Sequence, residues 1–534
     1  MSAGTWIARP VHHVLIAAYP VLYLLSNNLS EVDPGEGLAP TAIAVGAALA
    51  LFVVLRLARV SARRAALVVS IGAVVFLTYG HAARAMEPLR ISGWVPLVGW
   101  LLIGALLIVA VRVTRSDLHG LTALLNVASA GLIGFALVTI LSQLPTTSGL
   151  YVGGQRLPIG GQSAGPTPDP SAGQTGATRD IYYLMVEDYG APRQLSEYWD
   201  VPGSGFFDWL AGEGFSVLRD TRSNYGRTPL SVASSMNMTY LDALAAELGP
   251  DEPDQGPLGD MVKDSEATAF LKARGYSYVL LGSQYFLTAK SPVADVNPTF
   301  AQTSDFIAVL TESTILPSLA NLLGFEDDLS DRRRIYDAAV WGLETFPELT
   351  ELPGPKFVFM HLYLPHSPWV VDEDGAYVTE EMDGERSTTE RYRAQWGFVD
   401  REMRRLIEGL LDQPEESRPI IILTTDEGPS PGGMPRVEGN IDWTTATDAQ
   451  LDQKLGIFTA YYLPGVSDDC LYPGMSSVNT FRLVFDLYFD AGLTLLPDRS
   501  YMHRDRKHPY DLTDVTDRLP VSSAGSETAT TCDG

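Results

Sequence analysis

Two acidic pairs stand directly after apolar, β-rich runs. Glu187-Asp188 follows Ile181-Tyr-Tyr-Leu-Met-Val186, and Asp426-Glu427 follows Pro419-Ile-Ile-Ile-Leu-Thr424 and Thr425. A third run, Lys356-Phe-Val-Phe-Met-His-Leu362, contains His361 and leads into Pro365-His366. Open parallel sheets collect ligands at the carboxyl ends of their strands, so these groups stand where such a sheet binds. Each carboxylate taken alone reads more often as a turn residue capping a helix, and the two pairs with a strand-end His in one domain bring the two readings level. Thr228-Pro229 has the same two faces. Thr is a favoured N-cap with Pro at the first helical position, and a hydroxyl at a helix N-terminus is also placed to meet an anion.

The elements that must position these residues are legible around them. Tyr278-Val-Leu-Leu281 is a fourth apolar run. Continuous apolar strands fit a parallel sheet covered on both faces. Amphipathic candidates lie near 205–213, 265–274, 331–346 and 392–411, between or beside the runs. That alternation predicts an α/β fold.

The chain is not uniform. Residues 1–141 hold nine Arg, no Lys and five acidic residues, a net of +4, while 142–178 balance at zero. The remainder must then carry −30 for the whole chain to reach −26. Such an acidic outer part argues against a nucleic-acid partner, since Lys and Arg supply most of the affinity for phosphates. The first third has apolar stretches near 11–26, 39–57, 65–81, 94–113 and 121–141. The second, fourth and fifth match a hydrocarbon core of about 30 Å, and the first and third are shorter or interrupted. No Ala-x-Ala-like site follows Leu25, so the first stretch does not read as a cleaved signal peptide. Arg9, Arg56, Arg59, Arg63, Arg64, Arg112 and Arg115 fall on one side of five spans, and only Arg84 and Arg90 on the other. The positive-inside rule then predicts a multi-pass cell-membrane protein with a cytoplasmic N-terminus. Everything after Leu141 is expected outside. Domains are expected at 1–141 (about five transmembrane helices), 142–178 (a Gly/Pro/Ser/Thr-rich linker), 179–515 (the outer domain) and 516–534 (a disordered tail).

From Ile181 to about Asp511 the chain resembles the sulfatase-like branch of the alkaline phosphatase superfamily, in particular the membrane proteins grouped with lipoteichoic acid synthases and phosphoethanolamine transferases. The resemblance rests on Ser223-Asn-Tyr-Gly-Arg-Thr-Pro-Leu-Ser-Val-Ala-Ser-Ser-Met-Asn237, His361-Leu-Tyr-Leu-Pro-His-Ser-Pro368, Thr425-Asp-Glu-Gly428, Val478-Asn-Thr-Phe-Arg482 and Leu496-Pro-Asp-Arg-Ser-Tyr501. It implies an extracytoplasmic α/β domain behind about five transmembrane helices. It also implies a divalent metal that activates a hydroxyl for attack on a phosphorus or sulfur centre. By motif position Thr228 would be the nucleophile, preceded by Arg227. Glu187, Thr228, Asp426 and Glu427 would be the metal ligands. His366 and His361 would bind the anionic group, with His366 able to protonate the leaving oxygen.

Two positions depart from the pattern. Where these families have Asp-His-Gly the chain has Asp426-Glu427-Gly428, and Asp188 stands where many relatives carry Gly. An all-oxygen ligand set suits Mn²⁺ or Mg²⁺ rather than Zn²⁺. The expected function is that of a metal-dependent phosphotransferase or phosphoric ester hydrolase acting on phosphate rather than sulfate esters. Its partners would be an anionic envelope lipid or glycopolymer and the membrane. The alternative is a pseudoenzyme that has lost its metal and keeps the fold for binding or scaffolding. No Cys-x-Pro-x-Arg is present, which disfavours a formylglycine sulfatase, and Cys470 and Cys532, the two cysteines, fall where a disulfide can persist. A transporter is disfavoured because the spans lack central charges.

Overall fold

The computed structural model describes residues 9–86 apart from 30, 31 and 33, and then 94–143, 151–152, 155–156, 179–201, 205–300, 305–323, 331–430, 436–437, 440–466 and 471–520. Cys470, Cys532, most of 142–178 and the end of the expected tail lie outside them. The chain forms two compact units, 1–149 with 302–334, and 150–301 with 335–534.

In the first unit, α1 (His12–Ser26), α2 (Leu38–Leu57), α3 (Ala62–Leu77), α4 (Tyr79–Met86), α5 (Trp94–Val113) and α6 (His119–Gln143) follow the five apolar stretches. Pro34–Leu57, Trp94–Val113 and His119–Ser142 are long and apolar enough to cross a membrane. The α3–α4 pair adds a fourth if its 48° bend lies within one span, and α1 is apolar but shorter. Leu106 and Phe135 are exposed to about two-thirds of their surface, as residues facing lipid tails would be.

The shortness of α1 has a local cause. Its first amides, on Val11 and His12, both donate to Asn126 Oδ1 on α6, at 3.1 and 3.0 Å, and Asn126 Nδ2 donates to Arg9 O. His12 Nδ1 lies 2.7 Å from Ser70 Oγ, in the interior of α3. The helix therefore begins inside the bundle, with a neighbour's amide satisfying the donors that water would otherwise take.

Residues 302–334 are the main departure from the expected domain plan. They interrupt the outer domain and belong with the membrane helices. Here α7 (Asp305–Ser313) packs Phe306 and Leu310 against Val21, Leu25, Leu29 and Ile140. The next helix, α8 (Leu316–Leu322), follows Ile315, whose N–H donates to Phe76 O. These contacts fall at the end of α1, the end of α3 and the end of α6. Arg63, Arg64 and Asp117 meet at the opposite end, where Arg64 donates to Thr114 O. The pair thus caps the bundle away from the arginine-rich loops.

The second unit is built on six strands: β1 (Ile181–Val186), β2 (Ser216–Arg222), β3 (Ser277–Leu281), β4 (Lys356–Leu362), β5 (Ile420–Thr425) and β6 (Gly456–Tyr462). Their order is β2-β6-β5-β1-β4-β3. Strands β5, β1, β4 and β3 are parallel, and β6 runs antiparallel to both its neighbours. All four apolar runs are thus strands, and β2 and β6 are additions. Alternate residues of β1 enter two different cores. Tyr182, Leu184 and Val186 pack with the helix Asp331–Thr350 and the capped helix Thr388–Leu411, and Ile181, Tyr183 and Met185 with the opposite face. Burial on both faces is why these strands read as continuous apolar runs. The ordered chain continues past 515, through Val515 N–H donating to Ser500 O and Arg518 pairing with Asp448 at 2.8 Å. The described part of the expected tail is therefore folded.

Candidate active site

The parallel strands deliver their polar groups to one edge. Glu187 follows β1, where its N–H donates to the carbonyls of Leu362, the last residue of β4, and of Leu364 just beyond it. Asp426 and Glu427 follow β5. Asp426 is fixed through its backbone: its carbonyl accepts from Ser223 Oγ at 2.6 Å and Ser231 Oγ at 2.7 Å. Gly428 is required by close approach, since a Cβ there would stand 2.3 Å from Gln453 O. Its N–H donates to Lys454 O at 2.8 Å, tying the loop after β5 to the residues before β6.

Thr228 is the first residue of α9 (Thr228–Asn237), with Arg227 as the extended N-cap residue and Pro229 next. The Thr228 side chain does not cap the helix. Its Oγ1 donates to Glu187 Oε1 at 2.8 Å. The other Glu187 oxygen lies 2.6 Å from His361 Nε2, and His361 Nδ1 lies 2.9 Å from Thr288 Oγ1. His361 is buried with both ring nitrogens engaged, so it braces Glu187 and has no nitrogen to offer a substrate. That placement departs from the substrate-binding role expected for it. His366 is partly exposed at the rim, its ring against Tyr363 and its Nε2 3.8 Å from Asp188 Oδ2. Arg227 is half-buried beside Thr228.

One oxygen each from Glu187, Asp426 and Glu427 falls within 4.8 Å of the others, and all three residues are buried. Neither Asp426 oxygen has a hydrogen-bond partner, and nor does Glu427 Oε2. Buried carboxylate oxygens are rarely left unpaired, so this donor set fits a divalent cation. Burial pushes the carboxyl pKa of Glu187 up to about 8, Asp188 and Glu427 adding to the rise while His366 opposes it. Glu427 likewise rises to about 8, chiefly through burial, with Lys454 pulling against it. Asp426 is held well above the carboxylate range by burial and the nearby Glu187 charge. Burial pushes His361 down to about 4, so it is neutral.

Two further residues stand near the site. Lys454 is buried, with Nζ 2.8 Å from Glu427 Oε1 and 3.2 Å from Asp188 Oδ1. His503, on β7 (Tyr501–Asp505), is buried and driven to about 3 by desolvation and by the Arg227 and Lys454 charges. The signal for Lys454 was the pair of extra carboxylates, which in a buried site call for a counter-charge. Arg482 donates to the carbonyls of Thr494 and Met238, and Trp369 packs on the core, so both are structural.

No family model matches the chain, and no curated protein matches it. Among solved structures, it is similar to the zinc complex of the C-terminal periplasmic domain of EptC from Escherichia coli, at 14% identity over 66% of this chain and 96% of that one, TM-score 0.43. It is also similar to the integral membrane protein lipooligosaccharide phosphoethanolamine transferase A from Neisseria meningitidis, at 12% identity over 90% of this chain and 95% of that one, TM-score 0.40. A protein in the alkaline phosphatase superfamily from Vibrio parahaemolyticus is similar at 12% identity over 63% and 74%, TM-score 0.35.

Proposed function

We propose that the chain is a membrane-anchored, sulfatase-like phosphotransferase or phosphoric ester hydrolase that acts on phosphate esters of envelope lipid or glycopolymer. One observation carries this reading: the Thr228 hydroxyl, at a helix N-terminus, meets Glu187 in the same buried cluster as the unpartnered oxygens of Asp426 and Glu427. Thr228 Oγ1 attacks the phosphorus, passing its proton to Glu187 Oε1 and forming an O–P bond as the ester bond breaks. The incoming alcohol or water then displaces Thr228 Oγ1 from phosphorus, and the proton returns to it. His366, at the rim, gives a proton to the departing oxygen and recovers one from the incoming alcohol or water. Arg227 binds the phosphoryl oxygens. Glu187, Thr228, Asp426 and Glu427 would hold a divalent cation, which supplies Lewis-acid stabilisation of the alkoxide and of the phosphoryl oxygens.

The test is transfer or release of a labelled phosphoglycerol or phosphoethanolamine headgroup from lipid by the purified full-length protein. We expect turnover that a chelator abolishes and Mn²⁺ or Mg²⁺ restores. Turnover indifferent to chelation would refute the metal assignment. Orientation follows from the seven-to-two arginine bias. A reporter active only outside the cytoplasm is therefore expected to work when fused after residue 150 and to fail after Arg63, and the reverse would place the catalytic domain inside.

A second reading is favoured by Lys454, whose ammonium already puts a cation among these carboxylates. In that reading the ammonium replaces the metal and the domain binds without catalysis. A deletion phenotype rescued by the Thr228→Ala/Asp426→Ala double variant would favour it.

A further inference from the structure

Four carboxylates converge on the edge of this sheet, and two of them, Asp188 and Glu427, stand where the resembled families carry Gly and His. Both extra carboxylates meet the same cation. Lys454 Nζ lies 2.8 Å from Glu427 Oε1, 3.2 Å from Asp188 Oδ1 and 3.3 Å from Ser430 Oγ. The lysine is held there by construction. It sits in the last turn of α10 (Asp448–Leu455), and its carbonyl accepts the Gly428 N–H. Two residues earlier, buried Asp452 is fixed by Arg193 at 2.6 Å and Arg222 at 2.8 Å. Asp188 reaches the ammonium from a left-handed backbone, φ 53°, a conformation that is uncommon outside glycine.

The consequence for Glu427 is geometric. Its Oε1 is occupied by the ammonium, whereas its Oε2 has no partner, and the residue belongs to the cluster with Glu187 and Asp426. A free carboxylate offers a metal two oxygens and a full negative charge. This one offers a single oxygen, with its charge cancelled by a neighbour. We infer that Lys454 and Glu427 act as one unit that stands in for a neutral imidazole: one donor atom, a fixed direction and no net charge. Lys454 is thereby a positioning residue, acting through Glu427. The inference rests on the metal-dependent reading above.

The test is divalent-ion affinity, by calorimetry, in the full-length protein and in Lys454→Met, Glu427→His and the double variant. Groups that orient a metal ligand cost about 10–100-fold in affinity when removed, so Lys454→Met should weaken Mn²⁺ binding by that factor. In the Glu427→His background the same substitution should act in the opposite direction. There the ammonium has lost the nearer of its two carboxylates, keeps only Asp188 and repels the ion across the new imidazole, so removing it should strengthen binding by about tenfold or more. This reversal of sign is the signature. If Lys454→Met has the same effect in both backgrounds, or strengthens binding beside Glu427, the unit does not exist although the enzyme reading survives. If the unaltered protein binds no divalent ion, the enzyme reading itself fails and Lys454 is the site's resident cation. Should Lys454→Met alone not fold, by circular dichroism, the comparison of Glu427→His with the double variant still decides: no gain would overturn the inference.

Discussion

Thr228→Ala is expected to lower turnover by about a thousandfold or more, because a covalent nucleophile has no substitute once its oxygen is gone. The fold should survive, while ion binding weakens by the loss of one of its four oxygen donors. Thr228 caps nothing, and its side chain makes one hydrogen bond, to Glu187 Oε1. Thr228→Ser keeps that oxygen and should retain measurable activity. Headgroup release from lipid by each purified variant provides the check. Full activity in Thr228→Ala would remove the residue from the mechanism, whereas equal loss in Thr228→Ser would point to packing of the methyl group instead.

The second large effect concerns the carboxylates without their ion. In the fold Glu187 and Glu427 hold their protons up to about 8, against an ordinary 4.5, chiefly because burial disfavours the charge. A group whose pKa is raised by folding contributes stability that is complete below the unfolded value and is lost as pH rises through the folded one. The chelated protein should therefore melt at progressively lower temperature between about pH 4.5 and pH 8. A divalent ion should reverse this. At a hundredfold excess over its Kd it stabilises by about 2.7 kcal/mol, which is several degrees of melting temperature. Mn²⁺ or Mg²⁺ is expected to do so more than Zn²⁺, since every protein donor is oxygen. Thermal melts with and without chelator across that range are the measurement. A melting temperature that rises with pH in the chelated protein would contradict the burial argument.

What the sequence made legible follows from how each element is buried. Strands β1, β3, β4 and β5 are buried along nearly all their length, so they stand out as apolar runs. Strand β2, Ser216-Val-Leu-Arg-Asp-Thr-Arg222, is only partly buried and carries charges, which breaks that signal. Strand β6 begins at Gly456, directly after Leu455 of α10, with no turn to announce it. Lys454 consequently looks like an exposed residue of a polar helix, although the sheet draws it inward. Residues 305–322 are amphipathic in sequence, but their partners Val21, Leu25 and Ile140 all lie more than 160 residues away, a pairing no local pattern encodes. The acidic pairs and Thr228 were visible because strand ends and a Thr-Pro helix start mark them. The demotion of His361 was not, because only the register of β4 against β1 shows that it faces Glu187.

The central claim is that Thr228 carries a phosphoryl group during turnover. Mass spectrometry of the full-length protein, quenched with acid during reaction with a phospholipid donor, tests it directly. The account predicts a phosphorus-bearing adduct on the peptide containing Thr228, absent after chelation and absent from Thr228→Ala. Turnover with no adduct on Thr228, or with the adduct on another residue, would contradict it.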